Sequence, residues 1–427
     1  MSVVILFGFL FLFIFLTIPI GIALGLATAL TLMLTSNIPT IIIAQNAFAG
    51  LDSFPLMAIP FFILAGNLME HGGISQRILD FADSLIGFIT GGLAMVTTVS
   101  CMFFAAISGS GPATVSAIGT FMMPAMERRG YDGGFGAALT AAAGTIGVVI
   151  PPSIPFVIYA VATGTSISDL FLAGIIPGVL MGLALMTTSY VICKKNGWKG
   201  SGKKLSIKLV GKEFVNAFWA LLMPIIILGS IYSSVCTPTE AAVIGIVYAL
   251  IIGKFVYKQL ENRFIYKALV STALINGATS YMIGLSTSFA NYLTMEQVPN
   301  TVAMLLTTIT DNRIVIILII NLFLLVIGCF IDNISSCLIL APIFLPVVVG
   351  LGMSPIQFGI VLTMNLAIGF ITPPYGANLF VASGVGGVQF ERVAKNIIPF
   401  VASLILILLI TTFWEPVSML LPNMFSN

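Results

Sequence analysis

The amino-acid sequence predicts an all-α polytopic membrane protein made of two inverted structural repeats. Of its 427 residues, 59% are hydrophobic and 7% are charged, whereas soluble domains carry about 25% charged residues. Apolar runs recur from Val3 to Trp414. Many reach the roughly 18 residues that a membrane-crossing helix needs, so we expect about ten or eleven spans. In addition, one unusual stretch of sequence occurs twice.

The second copy of this stretch lies 222 positions after the first, the interval from Pro124 to Pro346. Its core, I-G-x-x-x-P-P, places two prolines inside an apolar run once in each half. Interrupted helices at matching places in two halves of a membrane protein point to the binding site of a secondary transporter. The matched pairs, which need no gap, are Pro124 and Pro346, Gly130 and Gly352, Ile146-Gly147 and Ile368-Gly369, Pro151-Pro152 and Pro373-Pro374, Ala160 and Ala382, Gly164 and Gly386, and Ile175-Ile176-Pro177 and Ile397-Ile398-Pro399.

The basic residues orient the chain. The loop at residues 193–214 carries seven lysines and one acid, so the positive-inside rule places it in the cytoplasm. A second basic stretch at residues 254–267 is expected on the same side. Counting spans from these loops places Gly130 in the cytoplasm and its mate Gly352 outside. The two repeats are therefore predicted to be inverted, related by a pseudo-two-fold axis in the membrane plane.

Each half, residues 1–192 and residues 215–427, is predicted to contain a helical hairpin followed by a broken helix. The hairpin arms are expected to be about 12 or 13 residues long, too short to cross the bilayer. We therefore expect re-entrant hairpins, one opening to the cytoplasm and one to the outside. The predicted hairpins cover residues 92–127 and 315–349, and the predicted broken helices cover residues 135–165 and 357–385.

The first apolar segment has no basic flank and no A-x-A cleavage site, so we expect a retained span rather than a signal peptide. Residues 3–34 fit either one long tilted helix or two spans broken near Pro19. Five scattered cysteines without a C-x-x-C motif say little about disulfides and nothing about a metal site. The single histidine, His71, excludes a histidine-based metal cluster, and the net charge of +2 gives no support to nucleic-acid binding.

The tip of the first hairpin, Ser108-Gly109-Ser110-Gly111-Pro112, has three interpretations. An intramembrane serine protease would need a general base near the serine, but His71 lies in a polar turn and no lysine lies in the neighbouring spans. We therefore expect no enzymatic activity. Alternatively, the small residues let helices pack closely. In the third interpretation, the hydroxyls and freed carbonyls of the tip bind a small cation.

The two I-G-x-x-x-P-P breaks favour the third interpretation. Proline lacks a backbone N–H and clashes with the preceding turn, which predicts carbonyls without helical partners in both copies. Unwound carbonyls coordinate Na⁺ in transporters of this kind, and half-helix N-termini attract anionic substrate groups. The alternative is a pair of proline kinks whose freed backbone groups form hydrogen bonds with neighbouring helices. The predicted free carbonyls are those of Gly147, Val148, Ile150, Gly369, Phe370 and Thr372.

Two acidic residues have competing interpretations. Asp332 is the only acid of the second hairpin and the repeat mate of Ser110. An intramembrane carboxylate is a functional candidate. Alternatively, Asp332 is a buried acid that accepts hydrogen bonds from backbone N–H groups. Glu240 in Thr237-Pro238-Thr239-Glu240 is expected to complete a capping box at the start of a span.

With these residues identified, the chain resembles the large membrane subunit (M subunit, DctM-like) of tripartite ATP-independent periplasmic (TRAP) transporters. The resemblance covers essentially the whole length. The segments that carry it are Ile59-Pro60-Phe61-Phe62-Ile63-Leu64-Ala65-Gly66, Ser108 to Thr114, Gly147 to Ser153, Thr237 to Ala242, and Thr372-Pro373-Pro374-Tyr375-Gly376.

This resemblance implies an elevator mechanism driven by Na⁺ in the bacterial inner membrane. It also implies a small membrane subunit (Q type) and a periplasmic substrate-binding protein (P type) that delivers an organic acid. One Na⁺ site is implied at Ser108, Ser110, Gly147, Ile150 and Pro152, and a second at Gly328, Gly369, Thr372 and Tyr375, the last through its backbone carbonyl. The residues expected to contact substrate are Ser110, Ser153, Asp332, Asn333 and Asn378.

The identity of the organic acid stays open at this point. Relatives in this family carry C4-dicarboxylates, sialic acids and other sugar acids, and the hairpins favour the sialic-acid type. The alternative to a subunit that depends on partners is a self-sufficient, ion-coupled carboxylate symporter or antiporter with the same inverted repeats.

Overall fold

The computed structural model describes residues 2–36, 38–200 and 206–425. Residues 201–205 of the predicted cytoplasmic loop lie outside the described residues. Over the described ranges the chain is helical and contains no strand. The helices are α1 (Ser2–Phe15), α2 (Ile20–Thr35), α3 (Ile41–Leu51), α4 (Ala58–His71), α5 (Ile74–Ile86), α6 (Gly92–Ser108), α7 (Gly111–Arg128), α8 (Gly133–Gly144), α9 (Ile154–Thr163), α10 (Ile167–Lys195), α11 (Ile207–Tyr232), α12 (Pro238–Ile251), α13 (Asn262–Met295), α14 (Val298–Ile309), α15 (Arg313–Phe330), α16 (Asn333–Gly350), α17 (Pro355–Gly369), α18 (Ala377–Gly386), α19 (Phe390–Phe413) and α20 (Pro416–Phe425).

Eight helical stretches in the described chain are long and apolar enough to cross a membrane. This number is smaller than the ten or eleven spans predicted from apolar runs, because several of those runs fold as shorter helices of 10–17 residues. The N-terminal run is one example. It forms two helices, α1 and α2, that pack against each other on either side of a turn at residues 16–19. Of the two alternatives for residues 3–34, the broken one is confirmed.

The helix boundaries repeat with the interval found in the sequence. Adding 222 to the bounds of α7 gives the bounds of α16, residues 333–350. The turns that follow these helices match as well, since Gly130 and Gly352 have φ angles of +78° and +81°. Each turn ends in a side-chain cap: Asp132 accepts a hydrogen bond from the N–H of Phe135, and Ser354 accepts one from Ile356. The sequence repeat is therefore a structural repeat.

Two contacts show that the broken helices run antiparallel, side by side. Near the end of the first, the Tyr159 hydroxyl donates a 2.7 Å hydrogen bond to the carbonyl of Pro355, where the second begins. At the opposite end, Asp132 before the first broken helix forms an ion pair with Arg392, which follows the second. Because the start of each lies beside the end of the other, the two repeats are inverted.

The Asp132–Arg392 pair also joins two turns that the sequence places in the cytoplasm. Although partial burial by itself raises the pKa of Asp132, the hydrogen bond from Arg392 and the backbone N–H groups of Phe135 and Gly134 hold that pKa below its usual value. The carboxylate is therefore ionised throughout the neutral range, and the pair links the two repeats on this face.

The prediction that the hairpin arms are about 12 or 13 residues long is wrong. The arms contain 17 and 18 residues in the first hairpin, and 18 and 18 in the second. The predicted arms were the apolar runs 92–104, 115–126, 315–327 and 338–348, whereas the helices continue beyond these runs toward the tips. In the structure only Gly109 and Ser110 leave the helical conformation at the first tip, with Gly109 in the left-handed region at φ +61°.

The first arms of the two broken helices, α8 and α17, occupy the centre of the molecule. Every residue of α8 from Gly134 to Gly144 is buried, as are those of α17 from Gln357 to Gly369. The remaining helices pack around this centre: α4 contacts α12 and α13, α13 also contacts α2 and α3, and α5 contacts α11. The capping box at the start of α12 is confirmed, with the Glu240 carboxylate accepting a 2.8 Å hydrogen bond from the N–H of Thr237.

The inversion predicts that equivalent positions in the two repeats face opposite sides of the membrane. Glu127 and Val349, separated by 349 − 127 = 222 positions, are both exposed and helical. They suit cysteine substitution better than Gly130 and Gly352, whose positive φ angles disfavour a side chain. In a background with the native cysteines replaced by alanine, an impermeant thiol reagent should modify Glu127→Cys from the cytoplasm and Val349→Cys from outside. Lys199→Cys serves as the cytoplasmic control, and modification of both test positions from one side would contradict the inverted arrangement.

Candidate functional site

The first hairpin tip is bound directly to the first helix break. The chain of α8 tightens into a 3-10 turn at Thr145–Val148, passes a cis bond between Pro151 and Pro152, and resumes as α9. The N–H of Ile154 donates a 3.4 Å hydrogen bond to the carbonyl of Gly109. A Cβ atom on Gly109 would lie only 2.7 Å from the carbonyl oxygen of Pro152. Only glycine permits this approach of two backbones.

The same contact brings oxygen atoms from the tip to the break. A Cβ atom on Gly147 would lie 2.8 Å from the carbonyl oxygen of Ser110 and 2.6 Å from the Thr114 hydroxyl. The Ser108 hydroxyl is 3.0 Å from the Thr114 hydroxyl, which in turn donates to the Ser110 carbonyl at 2.8 Å. Four of the residues implied for the first Na⁺ site, Ser108, Ser110, Gly147 and Pro152, are thus close together. Ile150 belongs to the same break, with its side chain packed against Gly178.

The second hairpin tip contacts the second break in the same manner. A Cβ atom on Gly369 would lie 2.5 Å from the Cα atom and 2.6 Å from the carbonyl oxygen of Gly328. The N–H of Gly376 points at the Cys329 carbonyl at 3.5 Å. Gly328, Gly369 and Thr372 therefore belong to one contact region. The ring of Tyr375 is 57% exposed and packs against Phe380, which leaves its backbone as the part that adjoins the break.

Three of the six carbonyls predicted to be free have hydrogen-bond partners, so that part of the prediction is wrong. The Ser153 hydroxyl donates to the carbonyl of Val148 at 2.6 Å. The carbonyl of Gly369 accepts from the N–H of Thr372, and that of Phe370 accepts from Asn378. The break therefore satisfies part of its own backbone with side chains and a tight turn. The Thr372 hydroxyl likewise donates to Ile368 at 2.7 Å.

The acid of the second hairpin acts as a helix cap. The Asp332 carboxylate accepts hydrogen bonds from the N–H groups of Ile334 and Ser335 at 2.9 and 3.0 Å. This is the capping alternative, and it gives Asp332 a structural role at the start of α16. Its repeat mate Ser110 holds the equivalent extended backbone conformation without a side-chain cap bond.

Ser153 and Asn378, both expected to contact substrate, are fully buried, and each makes a side-chain hydrogen bond within the protein. Ser153 caps α9 through the N–H of Phe156, in addition to its bond to Val148. The Asn378 amide donates to the carbonyl of Ala141 at 3.2 Å, and Gly111 lies against the same side chain. Asn378 thus joins the second broken helix to the first repeat. Both side chains hold backbone groups in place, and the Asn378 Oδ1 atom has no hydrogen-bond partner among the described residues.

The beginning of α16 also holds buried polar side chains without a partner among the described residues. Asn333 has both amide atoms unpaired, and the hydroxyls of Ser335 and Ser336 are unpaired as well. All three residues are 4% exposed or less. An unmet buried polar group costs about 1–3 kcal/mol, so a water molecule, an ion or a substrate group is expected there.

A cavity of about 170 Å³ separates the hairpin tips from α4 and α13. The N-termini of three helices lie at its wall, two from the first repeat and one from the second. Ser110 precedes α7, Ile154 begins α9, and Ile334 lies in the first turn of α16. The opposite wall comes from α4 and α13. No lysine or arginine is among the described lining residues, which are Ile59, Ile63, Gly66, Asn67, Glu70, Phe104, Ser108, Ser110, Ala113, Ile154, Ile275, Thr279 and Ile334.

The polar part of the opposite wall is absent from the sequence-based candidates. Asn67 and Glu70 are three residues apart and therefore share a face of α4, and Thr279 approaches from α13. The Asn67 amide donates to the Thr272 hydroxyl at 3.1 Å, which fixes α4 against α13. The available signal was a pair of polar residues at helical spacing within an otherwise apolar span.

Comparisons with known proteins agree on one family. The sequence matches the family described as "Tripartite ATP-independent periplasmic transporter, DctM component" over residues 7–417. It is 48% identical over 389 residues to the isethionate TRAP transporter permease protein DctMQ of Oleidesulfovibrio alaskensis, covering 91% of this chain and 61% of that protein. The chain therefore spans less than two thirds of this relative.

Two further relatives match along most of their length. The C4-dicarboxylate TRAP transporter large permease protein DctM of Pseudomonas aeruginosa is 40% identical, with 92% of each chain covered. The sialic acid TRAP transporter large permease protein SiaM of Vibrio cholerae is 39% identical, again with 92% of each covered. Among solved structures, the Alcanivorax borkumensis YdaH transporter has a similar fold, with a TM-score of 0.63 at 14% identity over 87% of each chain.

The close glycine contact at the second break predicts a specific sensitivity to one methyl group. In Gly369→Ala, the new Cβ atom would lie 2.3 Å from the Gly328 carbonyl carbon, so one backbone must move. Overpacking of this kind costs about 1–3 kcal/mol, and the midpoint of thermal unfolding in detergent should fall. Gly384→Ala is the matched control, because nothing lies within 4 Å of its Cβ position and alanine is the better helix former by up to about 1 kcal/mol. Equal midpoints for the two variants would show that the tip does not rest on the break.

Proposed function

Because the chain belongs to the DctM component family of tripartite ATP-independent periplasmic transporters, we propose that it imports a small organic anion coupled to Na⁺. Members of the family and the matching relatives are transport permeases, not enzymes. The proposal extends this membership to an ion, a substrate class and a mechanism.

The observation that carries the anion assignment is the meeting of three helix N-termini at one cavity. The helix dipole gives each N-terminus roughly half a positive charge. The Asp332 carboxylate and the Ser153 hydroxyl already accept from first-turn N–H groups of α16 and α9, whereas the start of α7 has no side-chain cap. The starts of α7, α9 and α16 supply this potential without a basic side chain in the described lining. Such a site attracts a carboxylate or a sulfonate without a permanent positive charge in the membrane interior. Glu70 and Asn67 on the opposite wall would then receive the hydroxyl or other donor groups of the substrate.

The size of the cavity favours a small acid. An apolar cavity of about 150 Å³ in another protein accommodates benzene, and the cavity here is about 170 Å³. Isethionate or a C4-dicarboxylate is close to that size, whereas a sialic acid is considerably larger. The 48% identity to the isethionate permease points the same way. We therefore propose a small sulfonate or dicarboxylate in place of the sialic acid that the hairpins favoured.

Two Na⁺ ions are proposed at the two contacts between tip and break. At the first, the Ser108 hydroxyl and the carbonyls of Ser110, Gly147, Ile150 and Pro152 are oxygen donors of the kind that hard cations prefer. At the second, the donors are the carbonyls of Gly328, Gly369 and Tyr375 together with Thr372. When bound, Na⁺ would neutralise these dipoles and stabilise the tip against the break. Both contacts join a hairpin to a broken helix of its own repeat, so binding would tighten each repeat separately.

An elevator movement is proposed because the cavity lies between two groups of helices. The hairpins and broken helices form one wall, and α4 and α13 form the other. Displacement of the first group along the second would carry the substrate across without opening the tip contacts. The Asp132–Arg392 pair would travel with the moving group, since both residues belong to the repeats.

Membership of the family supports a proposal for the partners and the location of the chain. We propose a small membrane subunit, a periplasmic binding protein that delivers the acid, and the bacterial inner membrane. Lipid-facing helices such as α11 and α13 expose large apolar side chains that suit a membrane partner, among them Val215, Ile225 and Leu274. The alternative is a self-sufficient symporter or antiporter, which would transport without either partner.

The Na⁺ assignment predicts a change in ion dependence without loss of folding. Ser108→Ala and Thr372→Val each remove one oxygen ligand, a loss of about 1–3 kcal/mol. At about 1.4 kcal/mol per factor of ten, the half-saturating Na⁺ concentration should rise about ten- to one-hundredfold. Thr187→Val is the matched control, because its hydroxyl makes the same bond to the carbonyl four residues earlier, as Thr372 does, but lies on the exposed side of α10.

The measurement is uptake of radiolabelled isethionate or succinate into proteoliposomes that contain the chain and both partners. Unchanged half-saturation in both test variants would make these hydroxyls packing groups and would remove the proposed sites. Uptake by the chain alone under a Na⁺ gradient would support the self-sufficient alternative.

A further inference from the structure

A second and larger cavity lies apart from the transport cavity, between α1, α14 and the second hairpin. Its volume is about 550 Å³, and none of its lining residues lines the transport cavity. One side belongs to α1 and α14, and the other belongs to α15 and α16. The cavity therefore lies at the boundary between the second hairpin and the helices that pack around it.

The lining of this cavity combines polar and apolar side chains. Ser2, Glu296 and Thr301 are its polar members, and the Ser2 hydroxyl donates a hydrogen bond to the Glu296 carboxylate. Its apolar members include Phe323 and Phe344, packed edge to face with ring centroids 5.5 Å apart. Phe323 is 323 − 313 = 10 residues into α15, or about 15 Å along the helix. The polar residues Ser2 and Glu296 therefore lie at helix ends, whereas Phe323 lies well inside its helix.

The cavity opens sideways toward the bilayer. Val4 and Leu305 stand at its rim and are 76% and 60% exposed. Leu340 and Ile343 in its interior are buried. In a chain that spans the membrane, a groove with an apolar depth, a polar mouth and an open side is shaped for a lipid.

We propose that this cavity binds a phospholipid with a primary amine headgroup, such as phosphatidylethanolamine. The acyl chain would fill the apolar end beside Phe323 and Phe344. The headgroup ammonium would donate a hydrogen bond to Glu296, a charge-assisted contact. The carboxylate disfavours a net anionic headgroup such as phosphatidylglycerol. A choline headgroup has no N–H to donate, so phosphatidylcholine loses the hydrogen bond while keeping the acyl-chain contacts.

This headgroup preference is measured on the purified full chain, equilibrated with equal amounts of the three lipids in mixed micelles and examined by native mass spectrometry. The wild-type chain should retain phosphatidylethanolamine about tenfold better than phosphatidylcholine, the ratio expected for one charge-assisted hydrogen bond. Glu296→Gln should abolish this preference. Glu415→Gln is the matched control, since Glu415 is exposed and lies outside the cavity, and it should leave the ratio unchanged.

Two further variants test the location of the acyl chain. Val302→Phe places a larger side chain in the cavity and should lower retention of all three lipids. Phe344→Trp introduces a tryptophan whose added fluorescence, relative to the wild-type chain, should be quenched by phosphatidylethanolamine with brominated acyl chains. Circular dichroism on each variant separates loss of binding from loss of folding.

Three outcomes would overturn the proposal. Equal retention of the three lipids by the wild-type chain would remove the headgroup assignment, as would a preference that survives Glu296→Gln. Absence of quenching at Phe344→Trp in folded protein would remove the acyl-chain site. A lipid-free dimer in the mass spectrum that Val302→Phe dissociates would assign the cavity to a second copy of the chain.

Discussion

The structure depends on the contact between each hairpin tip and the helix break of the same repeat. In the bilayer, every backbone polar group needs a partner inside the protein. The proline pairs Pro151-Pro152 and Pro373-Pro374 interrupt two helices at their centre and lack backbone N–H donors there. In both repeats, glycines let the backbone of the hairpin tip approach the backbone of the helix break within contact distance. The interruption is thus covered by protein in both repeats, and the oxygen atoms of tip and break are held together where a cation can use them.

Most of the remaining architecture follows from having two such units in opposite orientations. The broken helices lie antiparallel, linked by Tyr159 to Pro355 near one end and by Asp132 to Arg392 near the other. This arrangement brings the starts of α7, α9 and α16 to one cavity, although they come from different repeats. The proposed preference for an anion would arise from backbone dipoles. A transporter built in this way needs no permanent positive charge inside the membrane, which is costly to bury.

The sequence predicted the repeat interval, the pairing of hairpin with broken helix and the class of protein, because prolines and glycines act through the local backbone. It failed where long-range packing decides. The arm lengths were too short because only Gly109 and Ser110 need to leave the helix. Val148, Gly369 and Phe370 were predicted to have free carbonyls, but the folded break supplies donors from Ser153, Thr372 and Asn378. Asn67 and Glu70 gave a local signal through their helical spacing, but only the packing of α4 and α13 brings them and Thr279 to the cavity.

The central claim is that each contact between tip and break is a Na⁺ site. The most direct measurement is a cryo-electron microscopy structure of the chain with its partners, solved once in Na⁺ and once in a large organic cation at the same ionic strength. The account predicts density for one ion at each contact in Na⁺, coordinated by oxygen atoms from both tip and break, and its loss in the organic cation. Maps that show closed contacts with no ion in Na⁺, or ions held elsewhere, would contradict it.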